Sequence, residues 1–306
     1  MTAILNAIRK HFRGVIIALI IITAALSGFQ VMSAKQLHPH TELSHLSCKR
    51  FRFERSLPIA KPSFYTQSEW QKASKDDRKT YWRCDYPVFS GGKAAEVINR
   101  TLRENMLALS TGKEPPLKEQ ISAESAAEDL IASYLEERRE SGSQRPFHVS
   151  VTGSVLLNKP GLLTVRMEAH LDCGGAHGLD PIRVFVFNSN TGAQLKLADI
   201  FVPRSDGRLS TLIERAFRRK HKLSDRDPLD KPKGDFPGLT EKRLSSTENF
   251  ALGDKGITFV YHEYEIACYA FGSSEILVPW SELQPILKED FKAQWTTAFA
   301  PQKTGR

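Results

Sequence analysis

The stretch that most constrains this chain is Cys173-Gly-Gly-Ala-His-Gly178, set between two runs that read as β-strands. Upstream, residues 162–171 alternate apolar side chains (Leu163, Val165, Met167, Ala169) with polar ones (Thr164, Arg166, Glu168, His170), the period of a half-buried strand. Downstream, Arg183-Val-Phe-Val-Phe187 is an apolar run of strand length. Glycine reaches positive φ without steric cost, so three glycines between two strands predict a tight connection. His177 is then presented by the shape of a loop.

The rest of the chain alternates in character. Residues 48–57 and 81–86 read as strands, the second ending at Pro87, with a charged and exposed stretch at residues 67–79 between them. From Lys93, Val97, Ile98, Leu102, Met106 and Leu109 follow helical spacing, and a second helix is expected over residues 123–140, capped by Ser122 or by a Ser125–Glu128 capping box. Residues 141–146 are the best linker. After them, residues 148–157, 162–172 and 181–188 read as consecutive strands, and residues 209–222 as an amphipathic helix with Leu212, Ile213, Ala216 and Phe217 inward. A hairpin at residues 249–262 and a strand at 275–278 follow, and Pro279 opens a last helix. The expected fold class is α+β: an N-terminal strand-and-helix domain (48–146) and a C-terminal antiparallel sheet flanked by helices (147–306).

The start of the chain speaks to compartment. Residues 14–34 carry no charge, and as a helix would extend roughly 30 Å, the thickness of a bilayer core. Arg9, Lys10 and Arg13 precede this segment and favour export of everything from Lys35 onward. A cleaved signal peptide and a retained inner-membrane anchor both fit residues 1–34, with residues 35–47 as a polar stalk. Of the formal charge of +8, those three residues account for +3, leaving +5. That mild excess suits anionic envelope polymers or a membrane surface better than nucleic acid. Four cysteines beyond an export signal fit an oxidising compartment. They allow three pairings; their distribution between the halves favours Cys48–Cys84 and Cys173–Cys268.

Several motifs occur in a fixed order: the Gly-Ala-His-Gly loop; Asn190-Thr-Gly192 leading to Leu195-x-Leu-x-Asp-Ile-Phe201; Asp254-Lys-Gly256; Tyr264-Glu-Ile-Ala267-x-Tyr-Ala-x-Gly272; and Val278-Pro-Trp-Ser-Glu-Leu283. Over residues 149–287 this order resembles a family that includes the extracytoplasmic domain of the bacterial anti-sigma-V factor that senses lysozyme. It also includes the accessory domain of some peptidoglycan deacetylases, and most members are domains of unknown function. The resemblance implies an extracytoplasmic binding module for a cell-wall component or a wall-degrading protein such as lysozyme, with Gly175, Ala176, His177, Tyr264, Glu265 and Tyr269 at or bracing the binding face. Two departures matter. The family commonly has proline where this chain has Cys268, and Cys173 is also additional, which favours a crosslink between the two loops. Only 13 residues precede the apolar segment, too few for a cytoplasmic sigma-binding domain.

Two further chemistries compete with that binding role. Asp172, His177, His262, Glu263 and Glu265 form a metal or acid–base set if the loops converge, which would make the protein a metal-assisted hydrolase of envelope glycans. In the competing structural account, His177 bonds a nearby backbone carbonyl, Glu265 caps its loop, and His262 and Glu263 are surface residues. The basic run at residues 215–222 reads either as cations at a helix C-terminus or as an anion site. No nucleophile elbow, phosphate loop or dinucleotide fingerprint occurs, and no cofactor is expected.

Overall fold

The computed structural model describes residues 46–299 apart from 113–114, 116–120, 143 and 234–235. The apolar segment and most of the stalk lie outside the described residues, and no described helix is long and apolar enough to cross a membrane. The protein is an α+β fold built on a five-stranded sheet with helices and a three-stranded antiparallel sheet with helices.

The larger sheet has the order β1 (Ser47–Pro58), β2 (Lys79–Ser90), β3 (His148–Lys159), β4 (Leu162–Asp172) and β5 (Ile182–Asn188). Between β1 and β2 lies the short helix α1 (Gln67–Lys72), within the stretch expected to be exposed. All neighbours are antiparallel except β2 and β3, where Tyr81 faces His148 and Asp85 faces Thr152. A parallel pair needs a crossover, and α2 (Lys93–Thr111) and α3 (Ala123–Ser141) supply it. Their inward residues Ile98, Leu102, Met106 and Ala127 pack with Trp82, Val151, Val165 and Phe185 of the sheet. This sheet runs across residue 147, so the two expected domains share one sheet and one core.

The β2 strand continues past Pro87, where the sequence predicted its end. The ladder to β3 stops at Asp85, leaving β1 alone beside the proline. Gly153 of β3 lets the ring in: a Cβ there would come within 2.8 Å of Pro87 Cδ. At α3 the cap is Ser122, and its capping-box partner is Ser125 rather than Glu128. Glu128 instead pairs with Arg55 of β1 at 2.8 Å.

The apolar run at residues 183–187 becomes legible once β5 is placed. Phe185 and Phe187 face the helices, whereas Ile182, Val184 and Val186 face the second sheet. A strand covered on both sides has little reason to alternate. After β5 come α4 (Leu197–Ile200) and α5 (Asp206–Lys220). The second sheet has the order β6 (Phe250–Gly253), β7 (Gly256–Tyr261) and β8 (Ser274–Pro279), followed by α6 (Trp280–Leu283) and α7 (Glu289–Phe299). Pro279 is the cap of α6 rather than its first helical residue. Asn249 joins the two sheets: its Nδ2 donates to Ile182 O at 2.9 Å and its Oδ1 accepts from Val184 N at 2.8 Å.

Candidate functional site

The pairing of the large sheet decides where the histidine loop stands. Pro58 pairs with Lys79, Tyr81 with His148, and His148 with Asp172, so the end of β4 lies at the end of the sheet opposite Ser47. Tyr81 registers with Ser56, so along β1 that separation is roughly 30 Å at about 3.3 Å per residue. Leu171 and Leu179 exchange both backbone hydrogen bonds at 2.9 Å and close the hairpin. Within it Gly174 takes φ +80° and its N–H donates to Asp172 Oδ1 at 3.2 Å. The Asp172 carboxylate is therefore engaged by its own loop.

A second segment, residues 262–272 between β7 and β8, comes over this hairpin. Its 3-10 turn Tyr269–Phe271 lays the Tyr269 ring on His177, with centroids 3.9 Å apart and planes at 24°. Gly178 O accepts from both, from His177 Nδ1 at 2.9 Å and from the Tyr269 hydroxyl at 3.2 Å. Since a carbonyl only accepts, the His177 proton sits on Nδ1. One carbonyl thus ties the two loops together. Tyr264 completes the row, its ring centroid 5.6 Å from that of Tyr269. It is 58% exposed and takes φ +65°, a left-handed conformation uncommon for a bulky side chain. Glu265 Oε2 accepts the His262 N–H at 2.8 Å and so caps this turn.

Residues 198–281 match DUF3298, a protein family of unknown function. The matched stretch lies inside the span whose motifs carried the resemblance, and it holds Tyr264, Glu265 and Tyr269 but not His177. The DUF3298 region and the hairpin before it therefore contribute one side each to the stacked pair. Two crystal structures share the fold over most of their length. A DUF3298 family member from Bacteroides fragilis is 20% identical, with a TM-score of 0.58 over 80% of this chain and 94% of its own. A DUF3298 family protein from Pseudomonas aeruginosa is 18% identical, with a TM-score of 0.54 over 82% of this chain and 98% of its own. No curated protein matches.

The metal set does not converge. His262 turns away from the face toward the seam between the sheets, where its Nδ1 accepts from Ile182 N at 3.4 Å and its Nε2 lies 3.3 Å from Asn249 Nδ2. Among the described residues no group of three or more His, Cys, Asp or Glu could hold a metal ion. Asp172 and His177 are bound to backbone groups and Glu265 caps its turn, as the structural account has it, whereas His262 and Glu263 are partly buried rather than surface residues.

The cysteine expectation needs correction, because all four are free thiols. Cys48 lies opposite Phe89 and Cys84 opposite Phe53, five positions apart along the ladder. That is roughly 16 Å, far beyond what a disulfide spans. Cys173 and Cys268 do lie in the two loops that meet, but the stack and the Gly178 carbonyl hold them, not sulfur. Surrounding protein and then the Asp172 charge push the Cys173 thiol up to about 11 although the residue is exposed, so it is a poor nucleophile at neutral pH.

The basic end of α5 is largely occupied with structure. Arg218 donates to Glu214 at 2.9 Å and to the carbonyls of Ser224 and Asp227 at 2.7 and 2.8 Å. Arg219 pairs with Glu282 at 2.8 Å, and Lys220 donates to Glu275 O at 2.9 Å. The sequence reading missed Asp180, which bonds His170 Nδ1 at 2.7 Å beside the face. Pairing residue 171 with 179 would have placed those two side chains opposite each other.

Proposed function

We propose that this chain is an extracytoplasmic binding module of the bacterial cell envelope, exported and attached to the inner membrane if residues 14–34 are retained. Its ligand is a cell-wall component or a wall-degrading protein such as lysozyme. The observation that carries this reading is the aromatic face itself: His177 stacked on Tyr269, with Tyr264 held in a left-handed conformation that exposes its ring. Backbone strain of this kind persists where surrounding structure enforces it, and exposed tyrosines serve recognition because one end is apolar and the other wet. A nearby hollow lined by Leu239, Arg243, Leu244, Tyr261 and Ile266 has about 200 Å³, below the ~300 Å³ of ordinary ligand pockets, which favours a surface mode of binding.

The test is retention of the full chain on peptidoglycan fragments and on immobilised muramidase, with Tyr264→Ala beside it. Retention of the native chain on one of the two, lost in the variant at unchanged melting temperature, supports the reading. Retention on neither removes it.

A further inference from the structure

The chain enters the described fold at the pole of the large sheet opposite the aromatic face, and that pole has a surface of its own. Asn158 Nδ2 donates to Leu46 O at 3.0 Å and Ser47 pairs with Ser90, so the start of β1 lies beside the end of β3. There the pairing of β3 with β4 shifts between Val155 and Leu157, a bulge that leaves Val155 36% and Leu156 46% exposed. Val97 of α2 is exposed at the same pole, next to Gly192 of the turn that follows β5. The last turns of α7 join them. Gln294 Nε2 donates to Gly161 O at 2.9 Å, the Trp295 and Phe299 centroids are 4.2 Å apart, and Lys159 Nζ lies 5.1 Å from the Phe299 centroid. Lys49 and Lys93 are exposed here as well, with Glu96 in the first turn of α2 as the opposing charge. Apolar side chains, a tryptophan and lysines together are the composition of a surface that meets lipid headgroups.

Position decides what covers this pole. Residues 35–45 separate the apolar segment from Leu46 and can span at most about 40 Å. A retained anchor therefore keeps this end near the bilayer, at an effective concentration where even a weak surface is occupied. A second copy fits worse, because association through this pole would bring its lysines together. We propose that the pole docks on the exported side of the inner membrane, with Val155, Leu156 and Phe299 at the acyl boundary and Lys49, Lys93 and Lys159 among anionic headgroups. This deepens the binding-module reading and rests on its retained anchor. Docked in this way, the chain holds the His177–Tyr269 face roughly 30 Å farther out, toward the wall.

Hydrogen exchange of the full chain, reconstituted at low protein-to-lipid ratio in phosphatidylcholine vesicles with and without phosphatidylglycerol, tests the docking. Exchange over residues 153–161 and 294–299 is expected to slow about fivefold when the anionic lipid is present, the factor that one lysine near a charged surface supplies. Residues 174–180 should exchange alike in both, and Leu156→Glu should abolish the protection while leaving exchange elsewhere unchanged. Unprotected residues 153–161 in both vesicles overturn the docking and leave the binding module standing. Equal protection in both overturns the headgroup role of the lysines, and protection that grows with the protein-to-lipid ratio assigns the pole to a second copy instead. Recovery of the chain from cells without residues 1–34 also overturns the docking, and retention on wall fragments or muramidase then judges the binding module by itself.

Discussion

Tyr264 carries a backbone cost that its ring position alone explains. A left-handed residue with a Cβ is disfavoured by about 1 kcal/mol, so Tyr264→Gly is expected to hold or raise the melting temperature while ligand retention is lost. Thermal denaturation beside the retention assay checks both halves; a fall of several degrees would mean that the ring serves stability. His221 offers a second residue-scale test. Its ring lies 4.3, 5.9 and 5.3 Å from those of Phe217, Phe236 and Phe271, and its Nε2 is buried without a partner among the described residues. Burial, then the Lys220 charge, lower its pKa from 6.5. The folded protein therefore binds this proton less readily than the unfolded chain, whose histidine titrates near 6.5. The neutral histidine's stabilisation is complete above that pH and declines as pH falls from 6.5 toward the folded value. His221→Phe should flatten that limb of the stability curve, measured by urea unfolding between about pH 7 and pH 5. Neither was legible in the sequence: a left-handed φ at Tyr264 runs against what a bulky residue prefers, and the cage around His221 needs Phe236 and Phe271 as well as the neighbouring Phe217. The bond from His177 to a neighbouring carbonyl was foreseeable, since it is local.

At the scale of elements, the seam between the two sheets depends on Asn249. Its amide satisfies the Ile182 carbonyl and the Val184 N–H of β5, and its own carbonyl accepts from Val260 N at 2.8 Å. Asn249→Ala leaves two backbone groups of a buried strand unpaired, at about 2 kcal/mol or more. Chemical denaturation should show that loss, whereas a change within about 0.5 kcal/mol would mean that water or a shift of β5 replaces the amide. Helices with clear periodicity, such as α2, and strands with clear alternation, such as β4, were readable from the sequence. The extension of β2 through Pro87 was not, because it needs the close approach of Gly153. The capping box of α3 was assigned one step late, since both Ser122 and Ser125 have the chemistry of a cap.

At the scale of the molecule, the change from helical to strand-rich sequence near residue 147 marks a step along the chain and does not divide the core. Trp82 and Tyr86 of β2 share one apolar cluster with Val149, Val151, Val165 and Met167 of β3 and β4. Residues 147–306 expressed alone should therefore be unfolded or aggregated, and co-expression with the preceding residues should restore cooperative melting; a sharply melting isolated fragment would contradict a shared core. The face follows from the same architecture, since a hairpin of the large sheet supplies His177 and the turn before β8 supplies Tyr264 and Tyr269. The central claim is that ligand is held where those two pieces meet. Amide chemical-shift mapping of the full chain on adding whichever wall fragment or muramidase it retains tests this most directly. Perturbations concentrated at residues 174–180 and 262–272 are the predicted result. A response centred on the basic end of α5, with those loops unmoved, would contradict it.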